Sequence, residues 1–173
     1  MENYHWDYFT RSIFINAPRQ KVFDAWTIPS QIETWFLERA DFADIRSLQR
    51  DKDQRIQDGD SYEWKWWNYP NIEKGRVQQV DPEQRFIDFL FVSEKCPVRV
   101  IFREQGNKTL VSLSQSRIPL DDKSKSQIHM GCSQGWSFWM VNLKAWLEHG
   151  VLLHEREKIE EEMQFEMMEL INR

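Results

Sequence analysis

The segment Ser61–Pro70, SYEWKWWNYP, places three tryptophans and a tyrosine within six residues. Side chains alternate along an extended strand, so Tyr62, Trp64 and Trp66 share one face. Rings of this size bury large areas and stack on flat apolar molecules. The row therefore indicates either the filling of a solid core or the lining of a cavity that holds a small molecule, and the sequence alone leaves both open.

Polar residues inside apolar strands are the second group that could contact a ligand. Gln115 shares a strand face with Val111 and Leu113, and a buried polar group without a partner costs about 1–3 kcal/mol. We therefore expect Gln115 to supply a polar contact to a bound molecule. Asp88 interrupts the run RFIDFLFV, and we expect it to face solvent or to pair with a base such as Arg99 on a neighbouring strand.

No residue spacing points to a specific reaction. Tyr62, Glu63 and Asp88 could act as acid or base, but nothing in the pattern singles them out. His129 and Cys132 are three residues apart, yet a thiol–imidazole nucleophile needs a third, orienting group, which the sequence does not show. The four histidines and two cysteines form no metal-binding motif and no disulfide framework. The sequence thus predicts no catalytic residue, no metal and no cofactor.

Length and charge restrict the class of protein. A chain of 173 residues fits one domain that buries roughly 70% of its unfolded surface. The net charge of −5 is concentrated in residues 151–173, which hold seven acids and three bases. A basic face for nucleic acid is not expected, nor is membrane insertion, because no apolar run is long enough. The N-terminus lacks the apolar run of a secretory signal, so we expect a cytoplasmic protein.

Hydrophobic periodicity predicts the elements that position these residues. A first strand, Arg11–Asn16, precedes a helix that starts at Pro18. A second short helix follows, in which Ser30 and Glu33 have the spacing of a capping box. Six strands with short turns then demand antiparallel pairing. Their predicted bounds are Asp41–Leu48, Asp60–Trp67, Glu73–Val80, Phe86–Val92, Val98–Arg103 and Thr109–Arg117.

The C-terminal third is predicted to be helical. Apolar residues recur at steps of three and four up to Gly150, which gives a long helix with one wide apolar face. We expect a further acidic amphipathic helix over residues 151–173. Its apolar stripe would pack on its own domain or on a second copy of the chain, giving a homodimer; a disordered acidic tail is the third alternative. The stripe consists of Ile159, Met163, Met167 and Leu170.

The order of these elements and several local motifs resemble the START-like, or SRPBCC, superfamily with its helix-grip fold. Within it, the chain is most similar to the family named after the activator of Hsp90 ATPase homologue. The segments that carry the resemblance are INAPRQKVFDAWTIPSQIETWF (Ile15–Phe36), GDSYEWKW (Gly59–Trp66), GRVQQVDPEQRF (Gly75–Phe86), TLVSLSQSRIP (Thr109–Pro119) and GWSFWMVNLKAWLEHG (Gly135–Gly150).

The resemblance implies an α+β fold in which a seven-stranded antiparallel sheet curls around the long C-terminal helix, with two short helices after the first strand. Residues 1–150 would form the START-like domain, and residues 151–173 the acidic extension. A hydrophobic cavity between sheet and helix is implied, but no fixed activity and no catalytic residue.

We therefore expect this protein to bind a small apolar or aromatic molecule without catalysis. The alternatives are an enzyme of the polyketide cyclase, aromatase or hydrolase type, and an interaction module of the co-chaperone type. The predicted ligand-binding residues are Trp35, Phe36, Tyr62, Trp64, Trp66, Gln115, Trp136, Trp139, Met140 and Leu143.

Overall fold

The structure is a computed structural model and describes residues 4–160 and 171–172. Seven strands alternate with short helices before one long helix. The elements are β1 (Phe9–Ile15), α1 (Arg19–Thr27), α2 (Pro29–Trp35), β2 (Arg39–Ala43), β3 (Ser61–Lys65), β4 (Ile72–Asp81), β5 (Phe86–Phe91), β6 (Cys96–Gln105), β7 (Lys108–Gln115), α3 (Asp122–Ser124), a π-helical turn (Lys125–Met130) and α4 (Gly131–His149).

All seven strands form one antiparallel sheet in the order β1-β7-β6-β5-β4-β3-β2. Strands β3 to β7 are neighbours joined by short turns, the longer segment 44–60 connects β2 to β3, and β1 completes the order by pairing with β7. The helix α4 packs against this sheet, and α1 and α2 lie beside it. The α+β helix-grip fold predicted from the sequence is confirmed.

The long helix ends where the sequence predicts. Gly150 follows α4 with a φ of 69°, a left-handed conformation that glycine adopts without steric cost. At its N-terminal end, α4 continues directly from the π-helical turn Lys125–Met130. The apolar face of α4 includes Trp136, Met140 and Leu143, which are all buried against the sheet.

The predicted capping box of α2 is wrong. Pro29 occupies the first helical position, so Ile28 is the N-cap and Ser30 lies inside the first turn. The Ser30 hydroxyl instead donates to Asp53 at 2.8 Å. Glu33 accepts from the backbone N–H of Ala40 at 2.9 Å, which ties α2 to β2.

The acidic helix predicted from Val151 does not begin there. Residues 151–160 contain no helix, and the rest of that prediction, residues 161–170, lies outside the described residues. The left-handed Gly150 turns the chain away from the axis of α4. Side chains of Asn68 and Asn142 then bind the backbone of residues 151–160, which replaces the hydrogen bonds of a helix.

A close contact between β3 and β4 makes Gly75 indispensable. Tyr62 lies directly opposite Gly75, and a Cβ at Gly75 would meet the Leu90 carbonyl oxygen at 2.2 Å and the Tyr62 hydroxyl at 2.3 Å. The Tyr62 hydroxyl also donates to that carbonyl at 2.5 Å. The tyrosine ring therefore occupies the space that any other residue at position 75 would need.

We expect Gly75→Ala to lower the free energy of unfolding by about 3 kcal/mol or more, because neither neighbouring atom can move freely. Gly135→Ala is the matched control, since a Cβ there meets nothing within 4 Å and alanine stabilises a helix interior by about 0.5–1 kcal/mol. Urea denaturation of both variants measures the difference. Equal stability of the two variants would contradict this account.

Candidate functional site

Six aromatic side chains fill the space between the sheet and α4. This aromatic cluster consists of Trp26, Trp35, Phe36, Trp64, Phe89 and Trp136. Neighbouring ring centroids lie 5.0 to 6.3 Å apart, at angles that range from stacked to edge-on. The rings come from α1, α2, β3, β5 and α4, so the cluster joins most layers of the fold.

A small apolar cavity lies within this cluster. The volume open to the centre of a water molecule is about 10 Å³, which is room for about one water. The interior is therefore close to filled in this conformation. The wall consists of Trp26, Ile32, Trp35, Phe36, Ile56, Trp64, Val77, Ile87 and Phe89.

The indole nitrogens of the cluster differ in their partners. Trp35 Nε1 donates to the Ala25 carbonyl oxygen at 2.8 Å, and Trp136 Nε1 donates to Gln115 Oε1 at 2.9 Å. Trp26 Nε1 and Trp64 Nε1 are equally buried, but neither has a hydrogen-bond acceptor in the part of the chain that the structure describes. Two cavity-wall residues thus carry unpaired donors.

Gln115 is completely buried and acts on protein groups. Its Oε1 accepts from Trp136 Nε1, and its Nε2 has no hydrogen-bond acceptor among the described residues. Burial raises the pKa of the Cys132 thiol to about 11, and it also raises the pKa of Cys96; the Gln115 amide opposes both shifts. Both thiols are therefore protonated at neutral pH and are poor nucleophiles.

The thiol–imidazole pair considered from the sequence does not form. The His129 ring faces the N-terminal segment, with Nδ1 3.0 Å from the Trp6 carbonyl oxygen and Nε2 2.8 Å from the Tyr4 hydroxyl. Since a carbonyl only accepts, Nδ1 carries the proton and the Tyr4 hydroxyl donates to Nε2. His129 thus fixes the N-terminal segment to the start of α4.

None of the three acid–base candidates is part of the cavity wall. Burial raises the pKa of Tyr62, whose hydroxyl is already bound to the Leu90 carbonyl. Glu63 pairs with Lys74 at 2.6 Å. The expected pair of Asp88 with Arg99 is confirmed: the two residues are opposite each other on β5 and β6, and Arg99 Nε lies 2.7 Å from Asp88 Oδ1.

Sequence reasoning missed one inward carboxylate. Glu73 lies directly opposite Trp64 in the β3–β4 pair, so its side chain emerges on the same face of the sheet. It is half-buried, it accepts from the Ser93 N–H at 2.7 Å, and burial raises its pKa. The strand register was the signal that would have found it.

Three of the ten predicted ligand-binding residues, Trp35, Phe36 and Trp64, line the cavity. The other seven surround this wall. Trp136, Tyr62, Met140, Leu143, Gln115 and Trp139 are buried, and Trp66 is partly exposed with its ring 5.5 Å from Phe36. Ligand binding by these ten residues stays a prediction. The wall residues not predicted are Trp26, Ile32, Ile56, Val77, Ile87 and Phe89.

Residues 151–160, which we name the C-terminal strap, cross from α4 to the β3–β4 turn. At that turn the Asn68 amide donates to the Glu157 carbonyl oxygen at 2.9 Å, and its Oδ1 accepts from the Ile159 N–H at 3.1 Å. Ile159 is the described member of the stripe for which a homodimer was predicted; the other three lie outside the described residues. That homodimer stays a prediction.

The strap is anchored to α4 by Asn142. This buried side chain accepts from the Leu153 N–H at 2.6 Å, and its Nδ2 donates to the Trp35 carbonyl and to His154 Nδ1, the latter at 3.0 Å. The His154 ring lies 5.3 Å from Trp139, which in turn contacts Phe36 of the cavity wall at 5.4 Å. A single ring therefore separates the strap from the cavity wall.

A third contact joins the strap to α2. Arg156 donates to the Thr34 carbonyl oxygen at 2.6 Å, and its guanidinium lies over the Trp67 ring, 5.5 Å from the centroid. The strap thus bridges α2, the β3–β4 turn and α4; its bond to Thr34 and the bond that Glu157 accepts are exposed, and its bonds through Asn142 are buried or part-buried.

Comparison with known proteins agrees with this geometry. Residues 16–148 match the family model described as Activator of Hsp90 ATPase homolog 1-like protein, AHSA1. The chain belongs to the AHSA1 family. No curated protein sequence matches it.

Solved structures share the AHSA1 fold at low sequence identity. A protein from Staphylococcus saprophyticus is 21% identical, with a TM-score of 0.66 over 84% of this chain and 95% of the other. DynU16, from the dynemicin biosynthetic locus, is 18% identical, with a TM-score of 0.62 over 83% of this chain and 48% of the other. The Aha1 dimer from Colwellia psychrerythraea is 14% identical, with a TM-score of 0.63 over 83% of this chain and 97% of the other.

Two further kinds of site are absent from residues 4–160 and 171–172. No three His, Cys, Asp or Glu side chains within these residues are grouped as a metal ion requires. No helix there combines the length and the apolar composition of a membrane span.

His154 makes the docking of the strap depend on pH. Burial, and then the nearby Arg156 charge, lower the pKa of His154 from 6.5 to about 4, while Glu155 acts weakly in the opposite sense. Both ring nitrogens face donors, from Asn142 and Arg156. A folded-state pKa below the unfolded value means that the docked strap is fully stabilised above pH 6.5, and this stability is lost as the pH falls towards 4.

We expect NMR titration of the His154 ring protons to give a pKa near 4, and Arg156→Gln to raise that pKa only in part, because burial is the larger cause. Strap amides such as that of Leu153 should shift over the same pH range. A pKa near 6.5 in the wild-type protein would contradict the packing of this ring.

Proposed function

We propose that this AHSA1-family protein binds a small apolar or aromatic molecule inside the aromatic cluster, between the sheet and α4. The observation that carries the proposal is the cavity wall, in which five of nine residues are aromatic and all nine are apolar. Ligand sites are typically apolar concavities with a few polar groups that fix orientation. The buried indole donors of Trp26 and Trp64 are such groups.

A ligand larger than water must displace part of the wall. The binding-competent state is then a minor conformation of the free protein, and the apparent affinity is reduced by its population. The strap covers the junction of α2, the β3–β4 turn and α4; exposed hydrogen bonds hold it to α2 and to the turn, and the buried Asn142 side chain holds it to α4. We therefore infer that a ligand gains access between α2, the β3–β4 turn and α4.

The wall favours binding over acid–base catalysis. A general acid or base must lie within hydrogen-bonding reach of the reacting atom, and the cavity wall contains no titratable side chain among the residues described. The cyclase or hydrolase alternative therefore has no candidate group at the cavity itself.

A fluorescence titration with N-phenyl-1-naphthylamine, an uncharged aromatic probe, tests the proposal. We expect saturable binding of one probe per chain. Asn68→Gly should speed probe association and raise affinity about tenfold or less, because it removes the bonds to the strap while glycine keeps the φ of 53°. Ser93→Gly is the control, because Ser93 lies at another turn with the same φ. It should change neither the association rate nor the affinity of the probe.

Absence of saturable binding to both the wild-type protein and Asn68→Gly would overturn the proposal. Equal kinetics in Asn68→Gly and Ser93→Gly would leave ligand binding intact but refute access past the strap.

The closed interior favours a second candidate, a protein-interaction module of the co-chaperone type. A domain that acts through its surface needs no internal space, and the 10 Å³ cavity fits that role. The family description adds Hsp90 as the partner to test. Stimulation of the ATPase rate of a bacterial Hsp90 by the purified protein is the expected outcome of this candidate, and an unchanged rate would count against it.

A further inference from the structure

We infer that the ligand is an aromatic ketone or quinone, that is, a flat molecule with carbonyl oxygens that accept hydrogen bonds and with no N–H or O–H groups. This inference rests on the proposed function and specifies its ligand class. It comes from the contrast between paired and unpaired indoles in one cavity wall: Trp35 Nε1 has an acceptor, whereas Trp26 Nε1 and Trp64 Nε1 do not.

The two indoles with unpaired nitrogens are buried among other aromatic rings. Trp64 is 4% exposed, and its ring lies 4.1 Å from Tyr62 and 5.3 Å from Phe89. Trp26 is 3% exposed, and its ring lies 5.0 Å from Trp35. An N–H that faces an aromatic ring makes a second-order interaction. Buried donors are nearly always paired in folded proteins. Among the five unpaired buried side-chain donors of the described residues, these two belong to the cavity wall.

The chemistry of the wall selects the ligand. Its side chains are hydrocarbon or indole, and an indole nitrogen donates but does not accept. A ligand N–H or O–H would therefore bring a further unpaired donor into the cavity. A water molecule can accept from an indole, but its own two hydrogens find no acceptor in this wall. A carbonyl oxygen accepts and adds no donor, so it suits the site better than either.

A pair of rigid probes that differ in one carbonyl tests this selectivity. Fluorenone and fluorene have the same three-ring shape, and only fluorenone carries a C=O group. We expect the wild-type protein to bind fluorenone about tenfold more tightly than fluorene, because one good hydrogen bond accounts for a difference in affinity of about this size. Quenching of the intrinsic tryptophan fluorescence measures both dissociation constants.

Two variants assign the donor, and a third is the matched control. Trp64→Phe and Trp26→Phe each remove one unpaired N–H and keep an aromatic ring, and at least one should reduce the preference for fluorenone to about twofold or less. Trp67→Phe removes a buried N–H that also has no acceptor among the described residues but lies outside the cavity wall, so its preference should equal that of the wild-type protein.

The remaining outcomes contradict different parts of the proposal. Equal affinity for the two probes would overturn the ligand class but leave the proposed binding function intact. Failure of both probes to bind at their solubility limits would overturn the binding function together with this inference. A preference that survives in both Trp64→Phe and Trp26→Phe would refute the role of these two indoles.

Discussion

Mutual packing of six large rings between a curved sheet and one helix is the constraint on which this structure depends. Each ring of the aromatic cluster is held by rings from other elements, as Phe36, which follows α2, is by Trp64 of β3 and Trp136 of α4. Close-packed side chains of this kind transmit displacement because few voids absorb it. A ligand between sheet and helix therefore has to move several elements together, and its binding energy must offset that rearrangement.

The sequence predicts the strands well because the alternation of apolar and polar residues shows which face of a strand is buried. The same alternation does not show which residues of neighbouring strands lie opposite each other. The predicted strand Glu73–Val80 became Ile72–Asp81, close to expectation, yet the pairing of Trp64 with Glu73 and of Tyr62 with Gly75 was unknown. Those two pairs decide which carboxylate faces inward and why a glycine is required. Likewise, Trp26 lies in α1, but its position in the cavity wall depends on helix packing that no local pattern encodes.

The C-terminal strap shows a different limit of sequence reasoning. Apolar residues at helical spacing after Gly150 favoured a helix, but two asparagines far away in the chain satisfy the backbone of residues 151–160 instead. Tertiary hydrogen bonds of this kind override a weak periodic signal. Gln115 is a related case: its burial was foreseen from its strand face, whereas its bond to Trp136 needed the three-dimensional fold.

The spacing of the indoles also has an optical consequence. Trp26 lies 5.0 Å from Trp35 and 6.1 Å from Trp136, and Trp64 lies 6.3 Å from Trp66. Excited states pass readily between chromophores this close, so light absorbed by one indole is shared among several before it is emitted. A single quenching molecule bound among them would lower the fluorescence of several tryptophans at once. The intrinsic fluorescence of the protein therefore reports whether the cavity is occupied, without an added label.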